Sequence, residues 1–91
     1  MKPLFELGRV VATPGALDAL NTHQKSISGI LKRHMKGDWG DLGDGDKEDN
    51  NFAITHGIRI LSAYNITNTV KIWIITEADR ASTTILLPSE Y

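Results

Sequence analysis

The acidic residues between positions 38 and 49 form the densest group of potential metal ligands in the sequence. Within this group, Asp44-Gly45-Asp46-Lys47-Glu48 places carboxylates at alternate positions, as the start of a calcium-binding EF-hand loop does. That loop also requires glycine at its sixth position and glutamate at its twelfth, and these positions hold Asp49 and Thr55. The pattern therefore favours a solvated acidic loop in which Asp44 or Asp46 caps a helix start, and it predicts no metal site.

A histidine–carboxylate site made of His34, Asp38 and His56 is the second chemistry that these residue types allow. His34 has helical spacing with Ile27 and Met35, which is typical of a histidine packed on a helix face. No feature of the sequence brings His56 close to it, and catalysis requires several groups at a fixed mutual geometry. We therefore predict a structural role for His34.

Other catalytic or cofactor-binding signals are absent from the sequence. There is no P-loop, no dinucleotide-binding glycine pattern and no serine in a nucleophile elbow. The chain contains no cysteine, which excludes thiol catalysis and thiolate zinc sites. Glu77, Asp79 and Arg80 are interpreted as turn ion pairs or as charges that protect a sheet edge. The sequence predicts a protein that is not an enzyme and uses no cofactor.

The composition is that of one small globular domain spanning residues 1–91, with 41% hydrophobic and 23% charged residues. The formal net charge of −1 combines the acidic segment with a basic stretch at Lys25, Lys32, Arg33 and Lys36. This balance is not typical of a nucleic-acid-binding protein. No segment approaches the roughly 20 apolar residues of a membrane span, and the first residues lack a signal-peptide core. We expect a cytoplasmic protein without membrane contacts.

The hydrophobic spacing predicts the elements that would position these residues. Strands are expected at 5–12, 58–66, 70–78 and 82–88, and helices at 13–21, 27–36 and from Asp44 or Asp46 to position 56. The turns between the last three strands are short, so those strands must be antiparallel. The β-α-α-α-β-β-β order predicts an α+β domain, with a three- to four-stranded antiparallel sheet and short helices packed on one face.

The alternation along the late strands predicts apolar residues on both faces of the sheet. The predicted core face carries Ile58, Ile60, Tyr64, Ile66, Val70, Ile72, Ile74, Ile85 and Leu87. The second face carries Leu61, Ala63, Trp73, Ile75 and Leu86. Three short helices can cover only one face, so the second face is either capped by a terminus or left open. An open apolar patch would mark an interface; Trp73 is then either a contact residue or a core residue.

Four stretches of the sequence resemble a family of small bacterial proteins associated with plasmids and integrative elements. These stretches are residues 6–17, 34–42, 60–64 and 72–80, which include His34-Met35-Lys36-Gly37-Asp38-Trp39 and Ile72-Trp73-Ile74-Ile75-Thr76-Glu77. Members are labelled "plasmid-related protein" or "type I restriction endonuclease subunit M". The resemblance implies an accessory role on mobile DNA and assigns no catalytic residue. The methylase label does not transfer, because the chain has neither an N-P-P-[FY] motif nor room for a cofactor-binding domain.

The leading functional hypothesis is a non-catalytic protein-interaction module that binds a protein partner or a second copy of itself. The predicted contact residues are Leu61, Trp73 and Ile75 on the second face, and Trp39, Asp41 and Asp44 in the acidic loop. One alternative is modulation of a restriction-type enzyme through the acidic loop. Another is direct DNA binding through the basic stretch.

Overall fold

The structure is a computed structural model that describes residues 2–91 and contains three helices and one four-stranded sheet. In chain order the elements are β1 (Arg9–Ala12), α1 (Pro14–Thr22), α2 (Ile27–Met35), α3 (Asp44–His56), β2 (Ile60–Asn65), β3 (Lys71–Thr76) and β4 (Ser82–Leu86), followed by a 3-10 turn (Pro88–Glu90). The α+β class and the order of elements are confirmed. No helix within residues 2–91 is both long enough and apolar enough to cross a membrane.

The sheet has the order β1-β4-β3-β2 and is mixed, whereas the sequence predicted an antiparallel sheet. The pairs β2–β3 and β3–β4 are antiparallel, as the short turns require. In contrast, β1 runs parallel to β4. The chain between β1 and the meander contains three helices, so it is long enough to return in either direction, and its length could not determine the orientation.

The helices begin and end largely where their capping residues indicate. The Thr13 side chain accepts a hydrogen bond from the Ala16 amide at 3.1 Å, and the Ser26 side chain caps α2 in the same way. Gly57 ends α3 in a left-handed conformation. The capping role predicted for Asp44 or Asp46 is wrong. Gly43 precedes α3 without a side-chain cap, and both aspartates lie in its first turn, where the helix dipole favours negative charge.

One face of the sheet packs against the helices and forms the core. The main cluster joins α1 and α2 to the sheet and consists of Ala16, Leu20, Ile30, Tyr64, Ile72, Ile74 and Ile85. A second cluster next to α3 contains Phe5, Trp39, Ala53 and Ile60. Most of the predicted core face is confirmed. Ile58 is an exception, because it precedes β2 and its side chain is exposed.

Arg80 joins three elements through backbone carbonyls and does not form the predicted turn ion pair. Its guanidinium donates to the Ala53 oxygen near the end of α3 at 2.8 Å and to the Ile58 oxygen before β2 at 2.8 Å. It also donates to the Glu77 and Ala78 oxygens in the β3–β4 turn. The Ala53 carbonyl already accepts from the Gly57 and Ile58 amides, so the arginine adds charge-assisted hydrogen bonds that connect the end of α3 to the turn.

Replacing Arg80 with methionine should lower the free energy of unfolding by about 2 kcal/mol, because the carbonyls lose charge-assisted donors while the aliphatic stem is kept. Chemical denaturation monitored by circular dichroism measures this change. Arg9→Met, at an exposed arginine of β1, is the matched control and should shift stability by no more than about 0.5 kcal/mol. Equal stability of the two variants would contradict the role given to Arg80.

Candidate functional site

The second sheet face is largely covered within the monomer. One row across this face consists of Val11, Thr84, Ile75 and Leu61, and the next consists of Leu86, Trp73 and Ala63. Ile75 is 4% exposed and is therefore buried, while Leu61 and Trp73 are half-buried. Ile75 cannot contact a partner in this conformation. The contact roles of Leu61 and Trp73 remain predictions.

Tyr91 lies over this face and explains part of the covering. Its ring meets Trp73 edge-on with 5.7 Å between centroids, and its hydroxyl accepts a hydrogen bond from the Arg59 guanidinium. Glu90 fixes the preceding backbone by accepting from the Thr13 hydroxyl at 2.6 Å and from the Leu87 amide at 2.8 Å. These two donors hold the pKa of Glu90 below its usual value. The sequence predicted that the second face is either capped by a terminus or left open. In the structure the C-terminal residues cap it.

Trp39 is a core residue and not a surface contact. Its side chain is 3% exposed and lies between Phe5 and His34, with ring centroids 6.1 Å and 6.0 Å away. The indole nitrogen donates to the Asn51 side chain at 3.0 Å, so the polar atom is also satisfied inside the protein. The partner contact predicted for Trp39 would therefore require the loop to open.

Asp41 and Asp44 are both exposed, and Asp41 also bonds the backbone of β2. Its carboxylate accepts a hydrogen bond from the Asn65 amide at 2.8 Å. Asp44 lies at the start of α3, followed by the exposed acids Asp46, Glu48 and Asp49. Contact between a partner and either aspartate stays a prediction.

The basic stretch is partly neutralised by the acidic loop. Arg33 forms an ion pair with Asp38 at 2.7 Å, and its guanidinium lies 4.4 Å from the centre of the Tyr64 ring. The hydrogen bond from Arg33 lowers the pKa of Asp38, and burial raises the pKa of Tyr64 to about 12. An arginine engaged in this way is less available to phosphates, which weakens the DNA-binding alternative.

The outer edge of β2 is closed, because each of its outward-facing residues already has a hydrogen-bond partner within the protein. The side chain of Asn50, on α3, accepts from the Leu61 amide and donates to the Leu61 carbonyl at 2.6 Å. At the next position, Ala63 donates to the Trp39 carbonyl and accepts from the Asp41 amide. Asp41 then bonds the Asn65 amide. Sequence reasoning missed Asn50, because an asparagine among acids on a weakly amphipathic helix carries no signal for a sheet edge.

The opposite edge of the sheet, formed by β1, is bare. The amides of Arg9 and Thr13 donate to Ala81 and Ile85 on the β4 side, so the peptide groups of Val10 and Ala12 between them point outward. Within residues 2–91 no segment pairs with this outer side. The side chains of Val10 and Val11 are 42% and 38% exposed and lie on opposite faces.

His34 is the centre of a buried hydrogen-bond chain. Thr83 donates to the Leu7 carbonyl, so the Thr76 hydroxyl must donate to Thr83 at 2.8 Å. Nε2 of His34 must then carry the proton that is shared with Thr76 at 2.9 Å. Its Nδ1 is left to accept from the Ser62 hydroxyl at 2.5 Å. The carbonyl at one end of the chain therefore determines the tautomer of His34.

This histidine is placed for structure and not for acid–base chemistry. His34, Ser62 and Thr76 are completely buried, so a substrate cannot reach them. Burial lowers the pKa of His34 to about 4. Asp38 pairs with Arg33, and His56 stacks on Phe52 at the exposed end of α3, so the three residues considered together in the sequence are not brought together. In the described part of the chain no three histidine or carboxylate side chains converge as metal ligands would.

Comparisons with protein-family models, curated proteins and solved structures find no match to this chain. An accessory role on mobile DNA therefore stays a prediction from the sequence.

Proposed function

We propose that this chain is a non-catalytic protein-interaction module that binds its partner through the outer edge of β1. The observation that carries the proposal is the contrast between the two sheet edges. The β2 edge is closed by Asn50, by the loop at Trp39 and by Asp41, whereas the β1 edge presents the free peptide groups of Val10 and Ala12.

The side chains of β1 also favour association. Proteins that avoid edge pairing place charges, prolines or bulges along an edge strand. Here the middle of β1 is Val10-Val11, two exposed β-branched residues with no charge between Arg9 and Ala12. An extended partner strand would gain backbone hydrogen bonds at the edge and apolar contacts on both faces.

A selection from a phage-displayed random-peptide library against the immobilised chain tests this proposal. The selected peptides should be extended, with alternating apolar residues, and Val10→Pro should abolish their binding because it removes an outward N–H. Val10→Thr keeps this N–H and the branched shape, so it should bind as the wild type does. Circular dichroism must show that both variants fold.

Hydrogen exchange locates the docking site directly. A bound peptide should slow exchange at the Val10 and Ala12 amides, which point outward in the free protein. Peptides that bind Val10→Pro as well as the wild type would contradict the proposal. Protection confined to the segment around Leu61 and Trp73 would assign docking to the second face instead.

A further inference from the structure

We propose that the occupant of the β1 edge is β1 of a second copy, paired antiparallel about a twofold axis at Val11. This inference rests on the proposed function, because it names the partner of the same edge. It is carried by the register of the free peptide groups, by the backbone on either side of β1 and by the closed state of the other sheet edge.

The outward groups of β1 are self-complementary in one register. In an antiparallel pair, two opposite residues exchange both of their backbone hydrogen bonds at every second position. With the axis at Val11, Val10 of one copy is opposite Ala12 of the other, and the reverse pair is equivalent. Both outward-facing residues of each copy then exchange N–H and C=O, so no free group of this short strand is left unused.

The flanking residues disfavour the neighbouring registers. With the axis at Val10, Gly8 of one copy would lie opposite Ala12 of the other. Gly8 has a φ of +64° and is not extended, so the hydrogen-bond ladder could not continue at this pair. An axis at Ala12 would place Val10 opposite Pro14, which has no N–H to donate. The axis at Val11 is thus the register that the backbone supports.

The paired sheets would also bury the exposed apolar side chains. Val11 of one copy faces Val11 of the other on the second face, while Val10 meets Ala12 on the helix face. The axis is perpendicular to the sheet, so the α1 helices, each with an exposed Leu17, lie on the same side of the joined sheet.

The closed β2 edge limits the assembly to two copies. Joining the β1 strands gives an eight-stranded sheet whose two outer strands are both β2. Both of these edges are already satisfied by Asn50, Trp39 and Asp41, so no further strand can add and no fibre forms. Because β1 has four residues, the interface is small and the dimer is expected to be reversible and concentration-dependent.

A charge-complementation experiment tests the axis at Val11. In sedimentation velocity, the wild type should change from 10.0 kDa towards twice that mass as its concentration rises from about 10 μM to about 1 mM. Val11→Lys and Val11→Glu each place like charges opposite one another and should weaken self-association at least about tenfold. An equimolar mixture of the two variants should associate again, because opposite charges then face each other. Ile58→Lys, at an exposed apolar residue distant in sequence, is the control and should dimerise as the wild type does.

A single-cysteine variant tests the register independently, since the chain has no cysteine of its own. Residues in a pair without backbone hydrogen bonds have Cα atoms about 4.5 Å apart, which is within reach of a disulfide. Val11→Cys should therefore form a covalent dimer under mild oxidation, whereas Val10→Cys should do so at least about tenfold more slowly.

The outcomes of these experiments distinguish a failure of the dimer from a failure of docking at the β1 edge. A wild type that stays at 10.0 kDa at the highest concentration would overturn the dimer. Peptide capture that is lost in Val10→Pro would still support docking at the edge. Dimerisation of Val11→Lys at wild-type strength, or equal disulfide formation at positions 10 and 11, would overturn the twofold axis at Val11.

Discussion

Lowering the pH from neutrality to about 4 should reduce the free energy of unfolding by about 3 kcal/mol through His34 alone. Burial lowers the pKa of His34 from 6.5 to about 4, so between these values the unfolded chain binds a proton that the folded chain does not. Stability therefore rises with pH across this interval and is lost as the pH falls through it. A change of this size in pKa corresponds to about 3 kcal/mol.

The hydrogen-bond chain gives this dependence a structural cause. A protonated His34 would carry a second N–H at Nδ1, where the Ser62 hydroxyl now donates. Ser62 would have to rotate its proton away while a positive charge is created in the core. Urea titrations at several pH values measure the effect. His34→Gln should lower stability at neutral pH but flatten its dependence between pH 4 and 6.5.

The exposed His56→Gln variant is the matched control for this experiment. It should retain the wild-type slope of stability against pH, because its ring lies outside the buried chain. A wild type whose stability does not change between pH 4 and 6.5 would contradict the buried neutral histidine. So would a slope that persists in His34→Gln. Nitrogen chemical shifts of the His34 ring at neutral pH should show the proton on Nε2.

Replacing Gly40 with alanine should destabilise the protein by about 4 kcal/mol. Gly40 has a φ of +77°, and alanine in this left-handed region loses about 1–2 kcal/mol. An added Cβ would also overlap the carbonyl oxygen of Ala63 and the ring of Tyr64. Neither can move freely, because Ala63 is a central residue of β2 and Tyr64 is buried in the main cluster, so the close approach of the loop to β2 must open.

Gly45→Ala is the control for the Gly40 prediction. Gly45 is in α3, and no atom lies within 4 Å of the position where its Cβ would be. Alanine there should stabilise the protein by about 0.5–1 kcal/mol, because glycine is unfavourable inside a helix. Thermal denaturation of both variants should therefore give shifts of opposite sign. A Gly40→Ala variant as stable as the wild type would contradict the tight contact between the loop and β2.

Local sequence patterns predicted the helices and strands well where one continuous segment carries the complete spacing or capping pattern. The spacing of Ile27, Ile30 and Met35 defines α2, and Thr13-Pro14 marks the start of α1. Alternation in the late strands separated the two sheet faces correctly. It failed at Ile58, because parity assigns a face but does not show where a strand begins.

The candidate site depended on contacts between segments that are distant in the sequence. Trp39 and Ile75 could be read as surface contacts until the packing of Phe5 and the capping of the second face placed them inside. The sequence did not reveal the bare β1 edge either, because this feature depends on β1 pairing parallel to β4 and on Asn50 closing the other edge.

The sequence by itself determined the class of fold, the helix limits and the absence of any recognised catalytic motif, because these follow from periodicity, caps and residue types along the chain. Only the tertiary structure decided the direction of β1, the burial of Trp39 and Ile75, the neutral state of His34 and which sheet edge is free. Each of these depends on which distant atoms come within a few ångströms of one another, and hydrophobic patterning does not specify such pairings.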